Sequence, residues 1–196
     1  MKLNKLGKLM KDGRREVTLL TDPECQLWVR IKDAAYAAGP ELGLTRENLL
    51  AIVDIDKDKR NRYSVREGMT KDTRFSIYYD NEAEDPNRLH VLALFDHTLL
   101  LADPEGAILG IDARLLSPIE SENGNAFYIR YSHQQREGEE TPLVAVFDDI
   151  LCGALIMPIP REQLEKLMDL CRDVSKRRTI MPIHADEGEQ LSLLEE

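Results

Sequence analysis

Cysteine is scarce in this chain and poorly spaced for chemistry. Cys25, Cys152 and Cys171 are odd in number and far apart, and none belongs to a Cys-x-x-Cys pair. That spacing excludes a disulfide framework and a cysteine-based zinc site, leaving three small buried or half-buried thiols. Long apolar runs are missing too: none reaches the roughly 18 to 20 residues that span a bilayer. The start, Met1–Met10, alternates leucines with lysines and lacks the continuous apolar stretch of a signal peptide. A cytoplasmic protein with no membrane role is expected.

Catalytic signatures are also lacking. His90, His97, His133 and His184 are scattered, with no second histidine or cysteine at metal-ligand spacing. There is no Gly-x-Ser-x-Gly, no phosphate-binding P-loop and no dinucleotide fingerprint. Asp96-His97 reads as a surface turn, because adjacent strand residues point to opposite faces. Asp148-Asp149 reads as a hairpin turn. Asp54–Asp58 resembles a calcium loop only briefly, since Lys59 and Val65 stand where that loop needs glycine and glutamate. The expectation is a protein that is not an enzyme, with no cofactor and no metal.

What is present is an ordinary globular composition. The 196 residues are 42% hydrophobic and 32% charged, enough for a real core. A single α+β domain is expected over residues 1–180, with a pseudo-repeat boundary near residue 85 and a flexible acidic tail over 181–196. Net charge is −10, from 36 acids against 26 bases, which disfavours a generally adhesive nucleic-acid binder. The bases are nevertheless clustered. Lys2, Lys5, Lys8, Lys11, Arg14 and Arg15 crowd the start, so a local basic surface on an acidic body is compatible with the sequence.

Leu3, Leu6, Leu9 and Met10 fall at helical spacing, and Asp12-Gly13 ends that helix. Its lysines read either as solvated charges or as contacts to nucleic acid. Strands are expected over Val17–Leu20, Gln26–Lys32 and Arg74–Tyr79, with a helix from Arg46 to about Val53 capped by Thr45. His90–Phe95 and Thr98–Ala102 form a hairpin, and Asp103–Gly106 turns into a strand ending at Ile111. Ala93, Phe95, Asp96 and Leu99 recur at the same spacing as Ala145, Phe147, Asp148 and Leu151, by duplication or by hairpin convergence. A helix runs from Arg161 to about Ser175, with Leu164, Leu167, Met168, Cys171 and Val174 on one face.

The segment Ala107–Ile111, Asp112–Ile119, Phe127–Tyr131, Leu143–Phe147 and Leu151–Met157 reads as strand, short helix and three strands, ending in Ile156-Met-Pro158. Over about Leu89–Ile159 this pattern resembles a domain of the bacterial sliding clamp, the ring that tethers DNA polymerase to its template. The resemblance implies clamp-like strand–helix–strand units, a channel-facing helix starting near Asp112, and Arg114 as a nucleic-acid contact beside the N-terminal bases. A clamp subunit holds three such domains, so a chain of this length implies a homo-oligomer of more subunits, or no ring. Lys5–Met10 and Asp33–Tyr36 also look like uncharacterised proteins of prophages and mobile elements of gut Firmicutes.

Gln190-Leu-Ser-Leu-Leu194 resembles the short peptides by which bacterial proteins dock on the sliding clamp. Gln190, Leu191, Leu193 and Leu194 are the partner-binding candidates, with the host clamp or other replication proteins as partner. A final helical turn packing its leucines is the competing reading. The expected function is therefore a non-enzymatic DNA-replication accessory of a phage or mobile element. The alternative is a phage structural or regulatory module without a DNA role.

Overall fold

The computed structural model describes residues 1–12, 15–76, 87–119, 124–136, 139–148 and 151–179. Met1–Ile159 forms one compact unit and Pro160–Glu196 a second. The class is α+β: among the described residues ten strands follow one sheet order, with a few short helices and a C-terminal helix.

Helix α1 (Leu3–Asp12) opens the first unit and buries Leu6, Gly7 and Met10. Strands β1 (Glu16–Thr21), β2 (Leu27–Ile31) and β3 (Ala34–Ala38) follow as an antiparallel meander. The β1–β2 connection is organised by Asp22, which is buried at 5% exposure. Its carboxylate accepts the backbone N–H groups of Glu24 and Gln26 and the indole N–H of Trp28, at 2.8 to 3.1 Å. After a short helix α2 (Leu49–Ile52), strand β4 (Ser64–Met69) runs parallel to β1.

Strands β5 (Arg88–Phe95), β6 (Thr98–Ala102) and β7 (Ile108–Asp112) form a second antiparallel meander. A 3-10 turn over Ala113–Leu116 leads on to the third, β8 (Ala126–Arg136), β9 (Glu139–Asp148) and β10 (Leu151–Ile156). The strand order is β4-β1-β2-β3-β10-β9-β8-β5-β6-β7. The first and third meanders thus run outward from the β3–β10 pair in mirror order. Each is preceded in the chain by a helical segment.

Alternation along the strands sends side chains to two faces. On one face Val17, Val29, Ile31, Tyr36, Phe127, Val146 and Ile156 pack with Leu6 and Met10 of α1, Leu49 and Val53 around α2, and Leu115 and Ile119 after β7. On the other, Leu20, Trp28, Ala35, Leu143, Ala145 and Leu155 cluster with Phe75. Separately, helix α3 (Arg161–Thr179) belongs to the second unit; among its described side chains Leu164 is buried and Leu167 and Met168 are half-buried.

Several expectations change. The helix expected over Arg46–Val53 is a turn followed by the single turn of α2. Asn48, not Thr45, is the N-cap of α2 and makes no side-chain cap. Thr45 and Asn48 instead exchange bonds in the preceding turn, the Thr45 hydroxyl accepting the Asn48 N–H at 3.3 Å and the Asn48 carboxamide oxygen accepting the Thr45 N–H at 2.7 Å. The strand expected over Arg74–Tyr79 fails at its start, where Arg74 and Phe75 lie in a turn; residues 77–79 fall outside the described residues. The Thr73 hydroxyl explains this, because it bonds to the Thr70 carbonyl and the Phe75 N–H and so competes with strand pairing. Strands β3 and β4 were not expected. Helix α3 continues past Ser175 to Thr179. The two echoed segments are both hairpins, but Ala93 is exposed whereas Ala145 is buried. The tail over 181–196 lies outside the described residues.

Gly7 sits mid-helix, where glycine costs about 0.5 to 1 kcal/mol relative to alanine. The reason is close approach: a Cβ at this position would lie 2.1 Å from the Val53 backbone oxygen. Burying Leu6 and Met10 stabilises by about 1.5 to 3 kcal/mol each, so seating α1 tightly outweighs the propensity loss. Gly7→Ala should therefore lower stability by about 1 to 3 kcal/mol, although propensity alone predicts a gain. Urea unfolding followed by the fluorescence of Trp28, the single tryptophan, measures it; unchanged or increased stability would contradict the close packing.

Candidate functional site

A cleft of about 420 Å³ opens where α1, the β2–β3 turn and the residues after β7 meet. Lys5, Lys8, Leu9 and Asp12 of α1 line it, with Ile31 and Lys32 from β2 and its turn, Asp112 at the end of β7, and Arg114, Leu115 and Ser117 after it. The α1 residues fall on one stripe at i, i+3, i+4 and i+7, beside the buried stripe of Leu6 and Met10. Ile31 and Leu115 are buried and form the apolar floor.

Two devices set the wall that carries Arg114. Asp112 precedes the 3-10 turn, and one carboxylate oxygen accepts the Arg114 backbone N–H at 3.0 Å and its Nε at 2.9 Å. The other oxygen accepts the terminal guanidinium nitrogen at 2.7 Å, giving a forked ion pair. Burial pushes the Asp112 carboxyl up, but the Arg114 hydrogen bonds and charge, with a contribution from Lys32, outweigh it and hold the group below its ordinary value. The second device is Tyr36, fully buried on β3, whose hydroxyl donates to the Leu115 carbonyl at 2.8 Å. Burial, and secondarily the Asp112 charge, drive its ionisation far above the ordinary phenol range.

The cleft brings together three of the candidate basic residues, Lys5, Lys8 and Arg114. Lys2 is exposed and outside the lining, although its backbone N–H donates to the Pro118 carbonyl at 2.6 Å and ties the start of α1 to the same region. Lys11 and Arg15 are exposed and also outside the lining. Arg14, Gln190, Leu191, Leu193 and Leu194 lie outside the described residues. Lys32 was missed as a site residue. Its signal was the Lys32-Asp33 break before Ala34, and it takes a left-handed φ of 53° in the two-residue turn joining β2 to β3.

Elsewhere the chemistry is sparse. His97 Nε2 stands 3.8 Å from an Asp96 oxygen, both well exposed on the β5–β6 turn. Among the described residues no three His, Cys, Asp or Glu side chains gather as metal ligands, and no helix is long and apolar enough to cross a membrane. Of the cysteines, Cys152 is half-buried as expected, and burial pushes its thiol up to about 12. Cys25 is a correction: it is exposed, because the Asp22-centred turn places it at φ 65° on the surface. The side chain of Cys171 is outside the described set. No protein-family model, curated protein or solved structure matches the chain.

Removing the Tyr36 hydroxyl leaves the Leu115 carbonyl unpaired in a buried position. Tyr36→Phe should cost about 1 to 3 kcal/mol. Because the folded state holds Tyr36 neutral, its contribution is full below the ordinary phenol value near 10 and is lost as pH rises beyond it. Stability measured from pH 8 to 11 should fall less steeply in Tyr36→Phe than in the wild type; parallel curves would contradict the assignment.

Proposed function

We propose that this chain is a non-enzymatic, cytoplasmic accessory of DNA replication from a phage or mobile element. In this reading it is built like a sliding-clamp domain and acts through protein contacts and DNA phosphates. The observation that carries the reading is the convergence of Lys5 and Lys8 with Arg114 on one cleft. These are residues of the two helical segments that precede the mirror-ordered meanders, and both segments pack on the same sheet face. A sheet backing paired helical segments that present bases is the arrangement the sliding-clamp resemblance implies. Phosphate contact of this kind is sequence-independent and driven by counterion release.

Duplex DNA binding tests it. Wild-type affinity should fall with salt, and Lys5→Gln/Lys8→Gln should flatten the log–log salt slope by about 2, as expected for two lost phosphate contacts. The acidic balance of −10 favours a second reading, a phage structural or regulatory module without a DNA role. Absence of salt-dependent binding in the wild type would select it.

The Gln190–Leu194 peptide supplies the proposed contact to the host clamp, with glutamine in a polar notch and leucines in an apolar pocket. A pull-down on purified host clamp should retain wild type and lose Leu193→Ala/Leu194→Ala. Equal retention of the two would remove the docking role.

A further inference from the structure

We infer that the cleft between α1 and the Asp112–Ser117 segment takes a phosphate monoester carried on a small organic body, as at the end of a nucleic-acid strand or on a free nucleotide. This rests on the reading that the lysine face meets DNA, and it specifies which group of the nucleic acid the cleft holds.

The charge inventory of the lining points to a dianion. Arg114 and Asp112 cancel one another in charge through the forked pair, so together they add nothing to the net charge of the lining. What remains is Lys5, Lys8 and Lys32 against Asp12, a local excess of +2. Among the described residues none of these three lysines is in an ion pair. A phosphate monoester carries about −1.5 to −2 at neutral pH, whereas an internal phosphodiester carries a single charge. The three lysines come from two elements, α1 and the β2–β3 turn, that meet at the cleft.

Shape points the same way. A cleft of about 420 Å³ lies within the range typical of small-molecule sites, about 300 to 1,000 Å³, and suits a group that ends a chain. Its floor of Leu9, Ile31 and Leu115 is apolar, offering contact to a sugar or base edge behind the phosphate. Ser117 adds a neutral hydrogen-bonding residue to the lining.

The test uses the full chain and fluorescein-labelled single-stranded oligonucleotides, bearing either phosphate or hydroxyl on the end opposite the label, in 5′ and 3′ versions. The phosphate-ended form should bind at least about tenfold more tightly, consistent with added charge-assisted hydrogen bonds. Lys5→Gln/Lys8→Gln/Lys32→Gln should abolish that difference, while Lys57→Gln, outside the lining, should preserve it. Competition by a free mononucleotide at comparable concentration identifies a soluble nucleotide as the ligand; failure of that competition identifies a strand end. Equal binding of phosphate- and hydroxyl-ended strands overturns the inference and leaves DNA contact standing. Binding of neither, with no duplex binding, overturns both.

Discussion

The sheet depends on a short seam, the antiparallel pairing of β3 with β10 through Tyr36–Ala154, Ala35–Leu155 and Ala34–Ile156. It joins a meander from the first fifth of the chain to one from the last third, at the cost of a long loop closure. The seam lies under both apolar clusters, with Tyr36 and Ala154 turned to one and Ala35 and Leu155 to the other. Small side chains suit that position. Alanine at 34, 35, 38 and 154 lets helical segments and turns approach the centre of the sheet closely. The same economy recurs at Gly7, where α1 meets the Val53 carbonyl.

From this seam the cleft follows. Tyr36, on β3, reaches across to the Leu115 carbonyl and positions the segment bearing Arg114. The β2–β3 turn projects Lys32 toward the same place, and α1, tied to Pro118 by the Lys2 amide, supplies Lys5 and Lys8. The overall charge of −10 does not prevent this. At physiological ionic strength interactions between exposed charges are largely screened beyond about 8 Å, so a ligand in the cleft responds mainly to its lining.

Much of this was legible from local pattern. The amphipathic stripe Leu3–Met10, the Asp96-His97 turn, and the apolar runs that became β6, β9 and β10 appear where periodicity and turn chemistry place them. Strands β3 and β4 were not legible, for opposite reasons. Ala34–Ala38 has weak strand propensity and is a strand because neighbours on both edges pair with it. Ser64–Met69 carries Arg66, Glu67 and Gly68 with no alternating apolar face, and becomes a strand through parallel pairing with β1. At the cleft, the N-terminal lysines stood out as a cluster and Arg114 through the clamp resemblance. Lys32, Asp12 and the floor residues did not, since nothing local distinguishes a turn lysine that faces a cleft from one that faces water.

The amino-acid order by itself determined which segments are amphipathic, where the chain turns, and that bases concentrate at the start of an acidic chain. Those properties act over a few residues and are written in spacing and side-chain type. Only the tertiary structure decided which bases share a cleft, which carbonyl the buried Tyr36 hydroxyl meets, and which strands form the seam. Such outcomes arise from contacts between residues far apart in sequence, as Tyr36 and Leu115 are. Their free energy exists only once the β3–β10 seam has brought the two halves of the sheet together.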